Sequence, residues 1–318
     1  IWGVALAVAA VPEALPAVVT IGLAIGVKRM VARHALIRRL PAVETLGCTT
    51  VICSDKTGTL TQDQMTVRRL YINGRFFDVS GVGYEPRGEF YLDGTSIEPG
   101  KDPHLQALLQ IASLCNDTRL NSVNGVWQIK GDPTEGALTV LAAKAGIEQD
   151  EWNRRFPRVA EVPFASERKR MTTVHEVSQG RVAYSKGAPE AIVERCTYIY
   201  TNGQEREITA GDRENILSVA RTMAGEALRV LAMAYRHLAD TAEVTDAMEQ
   251  DMVLVGLVGM IDPPREEVKE ALRVCQQANI KAVMITGDHK LTAIAIAREL
   301  GLLQQGVTLT GSELDAMG

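Results

Sequence analysis

No Gly-x-x-x-x-Gly-Lys-[Ser/Thr] stretch occurs in this chain, so any nucleotide it binds is held without a P-loop. His-Glu-x-x-His and Cys-x-x-Cys are both absent, which removes the common zinc-site readings. The five cysteines (Cys48, Cys53, Cys115, Cys196 and Cys275) are dispersed and fit reduced thiols in a cytosolic body. Net charge is −5, so the basic excess that nucleic-acid binding needs is missing. No basic stretch precedes the first apolar run, as a signal peptide would require. Internal repeats and low-complexity tracts are lacking too. The 318 residues suffice for two globular domains. They begin at Ile1 and end at Met317-Gly318 without a terminal element, and read as a piece of a longer protein.

What is present starts with an apolar run from Trp2 to Val27, interrupted only by Glu13 and Thr20. At about 1.5 Å per residue such a run crosses a hydrocarbon core of about 30 Å. Lys28, Arg29, Arg33, Arg38 and Arg39 follow at once, a flank that places the C-terminal side in the cytoplasm. Val27 to Leu40 reads as a basic helix leaving the membrane. Pro12-Glu13-Ala14-Leu15-Pro16 breaks the run around a carboxylate. Each proline removes a donor and frees carbonyl oxygens, and unwound backbone at that depth lines a cavity or is buried in protein. Freed carbonyls with Glu13 make a hard-oxygen site for a cation. The bland alternative is a proline kink with an incidental glutamate.

The most informative stretch is Asp55-Lys56-Thr57-Gly58-Thr59-Leu60-Thr61. It follows Thr50-Val51-Ile52-Cys53, which reads as a buried strand closed by turn chemistry. Open α/β sheets place their reactive groups at such strand ends. A carboxylate attacks phosphorus to give an acyl phosphate. Lys56 supplies positive charge, and Thr57, Gly58 and Thr59 supply hydroxyls and close backbone N–H groups for phosphate oxygens. The alternative is a solvated loop with Asp55 as a cap.

This heptad resembles the phosphorylation motif of P-type ion-pumping ATPases, and the likeness extends over most of the chain. Leu36 to Asp55 matches the family's link to the nucleophile almost throughout. The resemblance implies that Asp55 takes the γ-phosphate of ATP. Phosphatases of the haloacid dehalogenase fold usually carry an Asp where Thr57 stands, as a proton-transferring group. A threonine cannot do that, which implies a slower-hydrolysing phosphoenzyme. Asp63 departs from the Asn of many relatives. The apolar segment resembles the fourth transmembrane helix of calcium-type pumps, in which the residue matching Glu13 is an ion ligand. Heavy-metal pumps carry a Cys-Pro-Cys type motif there, and this segment has no cysteine.

Between Met65-to-Ile72, where a new unit begins, and the double proline of Asp262-Pro263-Pro264-Arg265 lies a long insert. Gly81-Val82-Gly83-Tyr84-Glu85-Pro86 lacks the third glycine of a dinucleotide fingerprint and looks like a hairpin. Helical patterns fall at Leu105–Cys115, Gly136–Ala145 and Asn215–Ala227, and strand patterns at Met171–Val177, Arg181–Ser185 and Leu231–Tyr235. An α/β pattern resumes with a helix at Glu266–Ala278, a strand at Lys281–Ile285 and a helix at Leu291–Leu300. Within the insert, Lys186-Gly187-Ala188-Pro189-Glu190 sets a lysine after a strand, and Gly187 leaves room for a ligand. Alone it is also a surface lysine before a helix; it matches the family's nucleotide-site lysine. Phe164 and Lys169 offer an aromatic face for adenine and a cation for phosphates. Phe164 alone is more often a core residue, and the resemblance implies stacking. Ser166 replaces an arginine of relatives, and Arg168 or Arg170 is a candidate substitute. Glu135, otherwise a helix-start carboxylate, matches an adenine-site acid, and Arg229 matches an arginine near the phosphates. Thr286-Gly287-Asp288 closes the strand at Lys281–Ile285. If it neighbours the first strand, Asp55 and Thr286 converge on one phosphate. The resemblance gives Thr286 contact with the phosphoryl group, Asp288 an orienting role, and Asp262 and Arg265 hinge contacts to ATP.

The fold expected is therefore α/β: a partial haloacid-dehalogenase-like Rossmannoid phosphorylation domain, interrupted by an α+β nucleotide-binding domain and preceded by one transmembrane helix. The divisions are 1–27, 28–63, 64–263 and 264–318. ATP and Mg2+ are the expected cofactors, with Asp55 and Thr57 meeting Mg2+ alongside phosphate and Glu13 meeting the transported cation. Partners are that cation, membrane lipid and the rest of the same polypeptide, including an actuator domain and other transmembrane helices; nucleic acid is not one. The expected location is an integral membrane protein with residues 28–318 cytoplasmic. The ion is Ca2+ by resemblance, with Mn2+, Na+ or another cation left open. The family's Gly-Asp-Gly-x-Asn-Asp metal motif does not occur before Gly318. This piece alone is thus expected to bind nucleotide weakly and to autophosphorylate poorly. The alternatives are a phosphohydrolase of the same superfamily and a nucleotide-binding module without turnover.

Overall fold

The computed structural model describes residues 14–178, 180–239, 246–287, 290–303 and 306–317. The chain divides into two compact units, Ile1–Cys53 with Ala271–Val283 and Ser54–Glu270 with Met284–Gly318.

The strands in chain order are β1 (Val51–Asp55), β2 (Thr66–Ile72), β3 (Arg75–Val79), β4 (Phe90–Leu92), β5 (Thr95–Ile97), β6 (Arg119–Val123), β7 (Val126–Lys130) and β8 (Arg158–Ala165). They continue with β9 (Arg170–Val177), β10 (Gly180–Gly187), β11 (Cys196–Thr201), β12 (Gln204–Glu207), β13 (Arg229–Leu238), β14 (Met252–Ile261) and β15 (Lys281–Ile285). In the second unit, and among the described residues, eleven of these form one sheet ordered β5-β4-β3-β2-β14-β13-β10-β9-β8, with β11 joined to β14 and β12 to β11. All pairs are antiparallel except β11 with β14.

Alternation along the strands builds two cores, one on each face of this sheet. Leu70 and Ile72 of β2 and Val255 and Val258 of β14 join Leu105, Leu108 and Leu138 on one side. Tyr71 of β2 and Leu254 and Leu257 of β14 join Ile192, Ile216 and Met223 on the other. Strand β14 is buried on both faces, which is why Met252–Ile261 reads as a continuous apolar run. The first core is roofed by helices Pro103–Leu114 and Pro133–Lys144, the second by Pro189–Val193 and Ala210–Gly225. Pro103 and Pro133 open their helices where a missing N–H costs nothing, and Asp102 and Asp132 cap them through backbone N–H bonds. The loop holding Gly81 and Gly83 joins antiparallel β3 and β4, as the hairpin expectation required. Gly81 has φ +82°, and a Cβ there would stand 2.1 Å from the Arg87 carbonyl oxygen.

The first unit holds helix Leu15–Val31, helix Pro41–Gly47 and most of the two-stranded β1–β15 sheet. Lys281 N–H donates to the Thr50 carbonyl at 2.8 Å, joining the entry ends of β15 and β1, so the two run parallel. Two expectations need correction. The strand before Asp55 is not buried: Val51, Ile52 and Cys53 are exposed, because β1 has a single neighbouring strand among the described residues. The basic helix does not reach Leu40. It closes after Val31 in a Schellman motif, with His34 at φ +61° and Ala35 N–H bonded to the Met30 carbonyl. Among the described residues no helix is long and apolar enough to cross a membrane. Pro12 and Glu13, with the rest of residues 1–13, lie outside the described residues. The helix that follows is apolar and open, with Leu15, Val18 and Ile21 all exposed.

Candidate active site

Strand β1 ends by delivering Asp55 exposed, with extended backbone at φ −66° and ψ 148°. The chain then turns sharply. Thr57 is extended and Gly58 takes φ +71°, a conformation that L side chains resist. Lys56 is buried, while Thr57, Gly58 and Thr59 face solvent around the carboxylate. Parallel strands that enter together at Thr50 and Lys281 leave together at Asp55 and Thr286. Thr286 is half-buried and Gly287 exposed beside it. Asp288 lies outside the described residues.

The loop after Asp55 is clamped by the double-proline segment. Thr61 is fully buried, and its hydroxyl lies 2.5 Å from the Asp262 carboxylate. The other Asp262 oxygen accepts the Gln64 N–H at 3.2 Å. Arg265 donates from Nε to the Thr61 carbonyl at 3.0 Å and from Nη2 to the Gly58 carbonyl at 3.1 Å. Backbone bonds from Gln62 N–H to the Pro263 carbonyl and from Arg265 N–H to the Leu60 carbonyl complete the clamp. Asp262 and Arg265 therefore hold the nucleophile's own loop. Asp63 sits at φ +56°, where Asn and Asp are the least strained residues with a side chain. The Tyr84 phenol is pushed up to about 12 by burial first, then by the carboxylates of Asp63, Asp262 and Asp132.

A second group assembles around Glu135 in the first turn of helix Pro133–Lys144. Lys186 Nζ meets Glu135 Oε1 at 2.7 Å, with both side chains largely buried. Glu135 Oε2 accepts from Asp117 N–H at 3.0 Å and the Thr118 hydroxyl at 3.2 Å, and Asn116 Nδ2 donates to the Glu135 carbonyl at 2.9 Å. Arg229, at the start of β13, reaches Thr134 Oγ1 at 2.8 Å. Gly187 is required by its neighbour strand: a Cβ would lie 2.5 Å from both Arg170 Cβ and the Lys169 carbonyl oxygen.

Phe164 and Lys169 flank the turn between β8 and β9. Phe164 is 61% exposed, an uncovered ring instead of a core residue. Lys169 is exposed at φ +52°, its N–H bonded to the Ala165 carbonyl at 2.7 Å and its carbonyl to Ala188 N–H at 2.9 Å. Arg168 and Arg170, the candidates to replace the arginine missing at Ser166, already have an anionic partner. Both are turned onto Glu249, at 2.9 and 2.6 Å. Glu249, Asn116, Asp117 and Thr118 escaped sequence reasoning. The polar run Asn116-Asp117-Thr118 after a helix pattern was a turn signal that marked only a loop.

The predicted residues thus gather in three places: Asp55 with Thr286, Asp262 with Arg265 on the Gly58–Thr61 loop, and Glu135 with Lys186, Arg229 and the Lys169 turn. No three His, Cys, Asp or Glu side chains converge as a metal site among the described residues.

Residues 104–267, just over half of the chain, match the family described as P-type ATPase, cytoplasmic domain N. The chain is 44% identical over 321 residues to a calcium-transporting ATPase of Bacillus subtilis, covering 99% of this chain and 36% of that protein. It is 44% identical over 331 residues to the cation-transporting ATPase pma1 of Synechocystis, again 99% and 36%. To the calcium-transporting ATPase lmo0841 of Listeria monocytogenes it is 43% identical over 318 residues, 99% of this chain and 34% of that protein. The chain therefore spans about a third of the length of these relatives. Matched over strands β8 to β14 of the large sheet, the helices that roof it and the Glu135–Lys186 pair, this chain belongs to the P-type ATPases.

Proposed function

We propose that this chain carries the phosphorylation and nucleotide-binding machinery of an ATP-driven cation pump. Asp55 Oδ attacks the γ-phosphorus of ATP; the bond to the bridging oxygen breaks, ADP leaves, and an aspartyl phosphate remains. The observation that carries this reading is the exposed Asp55 at a strand end, on a loop whose Gly58 and Thr61 are fixed by Asp262 and Arg265. Thr57 offers no proton-transferring group, which favours a lasting phosphoenzyme over a phosphohydrolase. Lys56 and Thr286, at the two strand ends, are assigned to the transferred phosphoryl group, with Gly287 and Asp288 following on that loop.

Adenine stacks on Phe164, near Glu135, and Lys169, Lys186 and Arg229 meet the phosphates. Lys186 is balanced by Glu135 before nucleotide arrives, so binding exchanges one anionic partner for another. ATP would arrive complexed with Mg2+, and Asp55 and Thr57 would meet the ion alongside the phosphate. The ion's charge offsets repulsion between the two reacting anions. Glu13 is assigned to the transported cation, Ca2+ in keeping with the names of relatives, in a membrane-spanning segment whose C-terminal side is cytoplasmic. Lipid and the remaining transmembrane helices and actuator domain of the same polypeptide are its partners.

The test is acid-stable labelling of the full-length protein from γ-labelled ATP across a panel of cations. Label that requires one transported ion and vanishes in Asp55→Asn is expected. Ion-independent label with fast turnover supports the phosphohydrolase instead.

A further inference from the structure

One buried carboxylate outside the predicted site organises a whole edge of it. Glu249 has a side chain 0% exposed and ends a short helical turn at Asp246–Glu249. Met248, packed with Val174 and Ala183, fixes that turn to the sheet. Glu249 Oε1 and Oε2 each accept from Arg168 Nη1 at 2.9 Å. Oε2 also accepts from Arg170 Nε at 2.6 Å, and Oε1 from the Thr172 hydroxyl at 2.8 Å. Thr172 in turn shares a hydrogen bond of 2.5 Å with Ser185 on β10, the residue before Lys186.

The two arginines extend this grip to the turn on either side of Lys169. Arg168 Nη2 donates to the carbonyl of Pro163, the residue before Phe164. Arg170 Nη1 donates to the Arg168 carbonyl at 3.1 Å. Lys169 sits between them at φ +52°, a backbone state that an unrestrained lysine leaves. A buried carboxylate with two guanidinium partners is a poor source of stability, because desolvation offsets its attraction. What the network does supply is placement. It turns two cations inward and leaves Lys169 and Phe164 as the exposed groups.

We infer that Glu249 is a positioning residue for nucleotide binding, fixing the turn that presents Phe164 and Lys169 to ATP. The inference rests on the reading that Lys169 meets the nucleotide. It also assigns Arg168 and Arg170 to the scaffold and not to phosphate contact.

A double-mutant cycle on the full-length protein tests it, with equilibrium ATP affinity as the readout. Lys169→Ala is expected to weaken ATP binding, and Glu249→Gln to weaken it by about tenfold, as loss of an outer-shell partner does. The double variant is expected to lose less affinity than the two single losses combined, because part of the carboxylate's effect runs through the lysine and the rest through Phe164. Additive losses, or full ATP affinity in Glu249→Gln beside a weakened Lys169→Ala, overturn this inference and leave the nucleotide site standing. Unchanged affinity in Lys169→Ala overturns both. If Glu249→Gln fails to fold, Arg168→Lys carries the same cycle, since one ammonium cannot replace Nη1 on Glu249 and Nη2 on the Pro163 carbonyl together.

Discussion

At Asp262, a single carboxylate joins two stretches of sequence far apart in number. It accepts the hydroxyl of Thr61, which has no access to water, and the N–H of Gln64. Asp262→Ala removes the charged acceptor of both groups and leaves the Thr61 hydroxyl only the Lys56 carbonyl at 3.1 Å, at a cost of about 1–3 kcal/mol. Urea denaturation followed by fluorescence is expected to show that loss, and phosphoenzyme formation is expected to slow more than ATP affinity falls. Gly187 makes a complementary case. Sequence reasoning gave it to ligand access, whereas its Cα faces the Lys169–Arg170 backbone. Gly187→Ala forces a methyl group into a 2.5 Å gap against backbone, and is expected to cost about 1–3 kcal/mol and loosen the Lys169 turn. The check is a lowered thermal midpoint together with weakened ATP binding. Legibility at this scale followed chain distance. Asp55 to Thr61 was legible because its chemistry is contiguous. Glu249 was not, because its partners Arg168 and Arg170 are remote in sequence and no local pattern announces them.

Elements were legible where their periodicity is complete. The helix expected at Gly136–Ala145 begins at Pro133, where Asp132 caps it, and the strand expected at Lys281–Ile285 is β15. They were illegible where a partner decides the outcome. An apolar run before Asp55 reads as buried, yet burial depends on neighbours that β1 does not have among the described residues. Strand β9 carries a testable titration. His175 is fully buried, with Nδ1 2.8 Å from the Phe156 carbonyl and Nε2 2.9 Å from the Thr173 hydroxyl. Burial lowers its pKa, opposed by the Phe156 hydrogen bond and assisted by the Arg158 charge. Below about pH 6.5 the unfolded chain binds a proton that the native state refuses. The stability contribution is therefore complete above that pH and is lost as pH falls through the native pKa. Amide exchange of β9 and β10, corrected for its intrinsic pH dependence, is expected to show weaker protection at about pH 5.5 than at about pH 7.5. His175→Gln is expected to flatten the difference; an unchanged difference contradicts the assignment.

For the molecule as a whole, the proposal divides labour between a carboxylate that takes phosphate and one that senses an ion. Glu13→Gln is expected to weaken activation by the transported cation while leaving ATP affinity nearly unchanged, because no nucleotide-site residue belongs to its segment. Equal loss of both contradicts that division. The family was legible from the heptad and its flanking strand, and the match to domain N agrees with it. The hinge clamp and the Glu249 network required coordinates, since both are built by residues brought together from separate strands and loops.

The most direct test is to quench the full-length protein in acid during ATP turnover and map the phosphoryl adduct by mass spectrometry. The account predicts a single acyl phosphate on the peptide carrying Asp55, absent from Asp55→Asn. A phosphoryl group on another residue, or none while ATP is consumed, contradicts it.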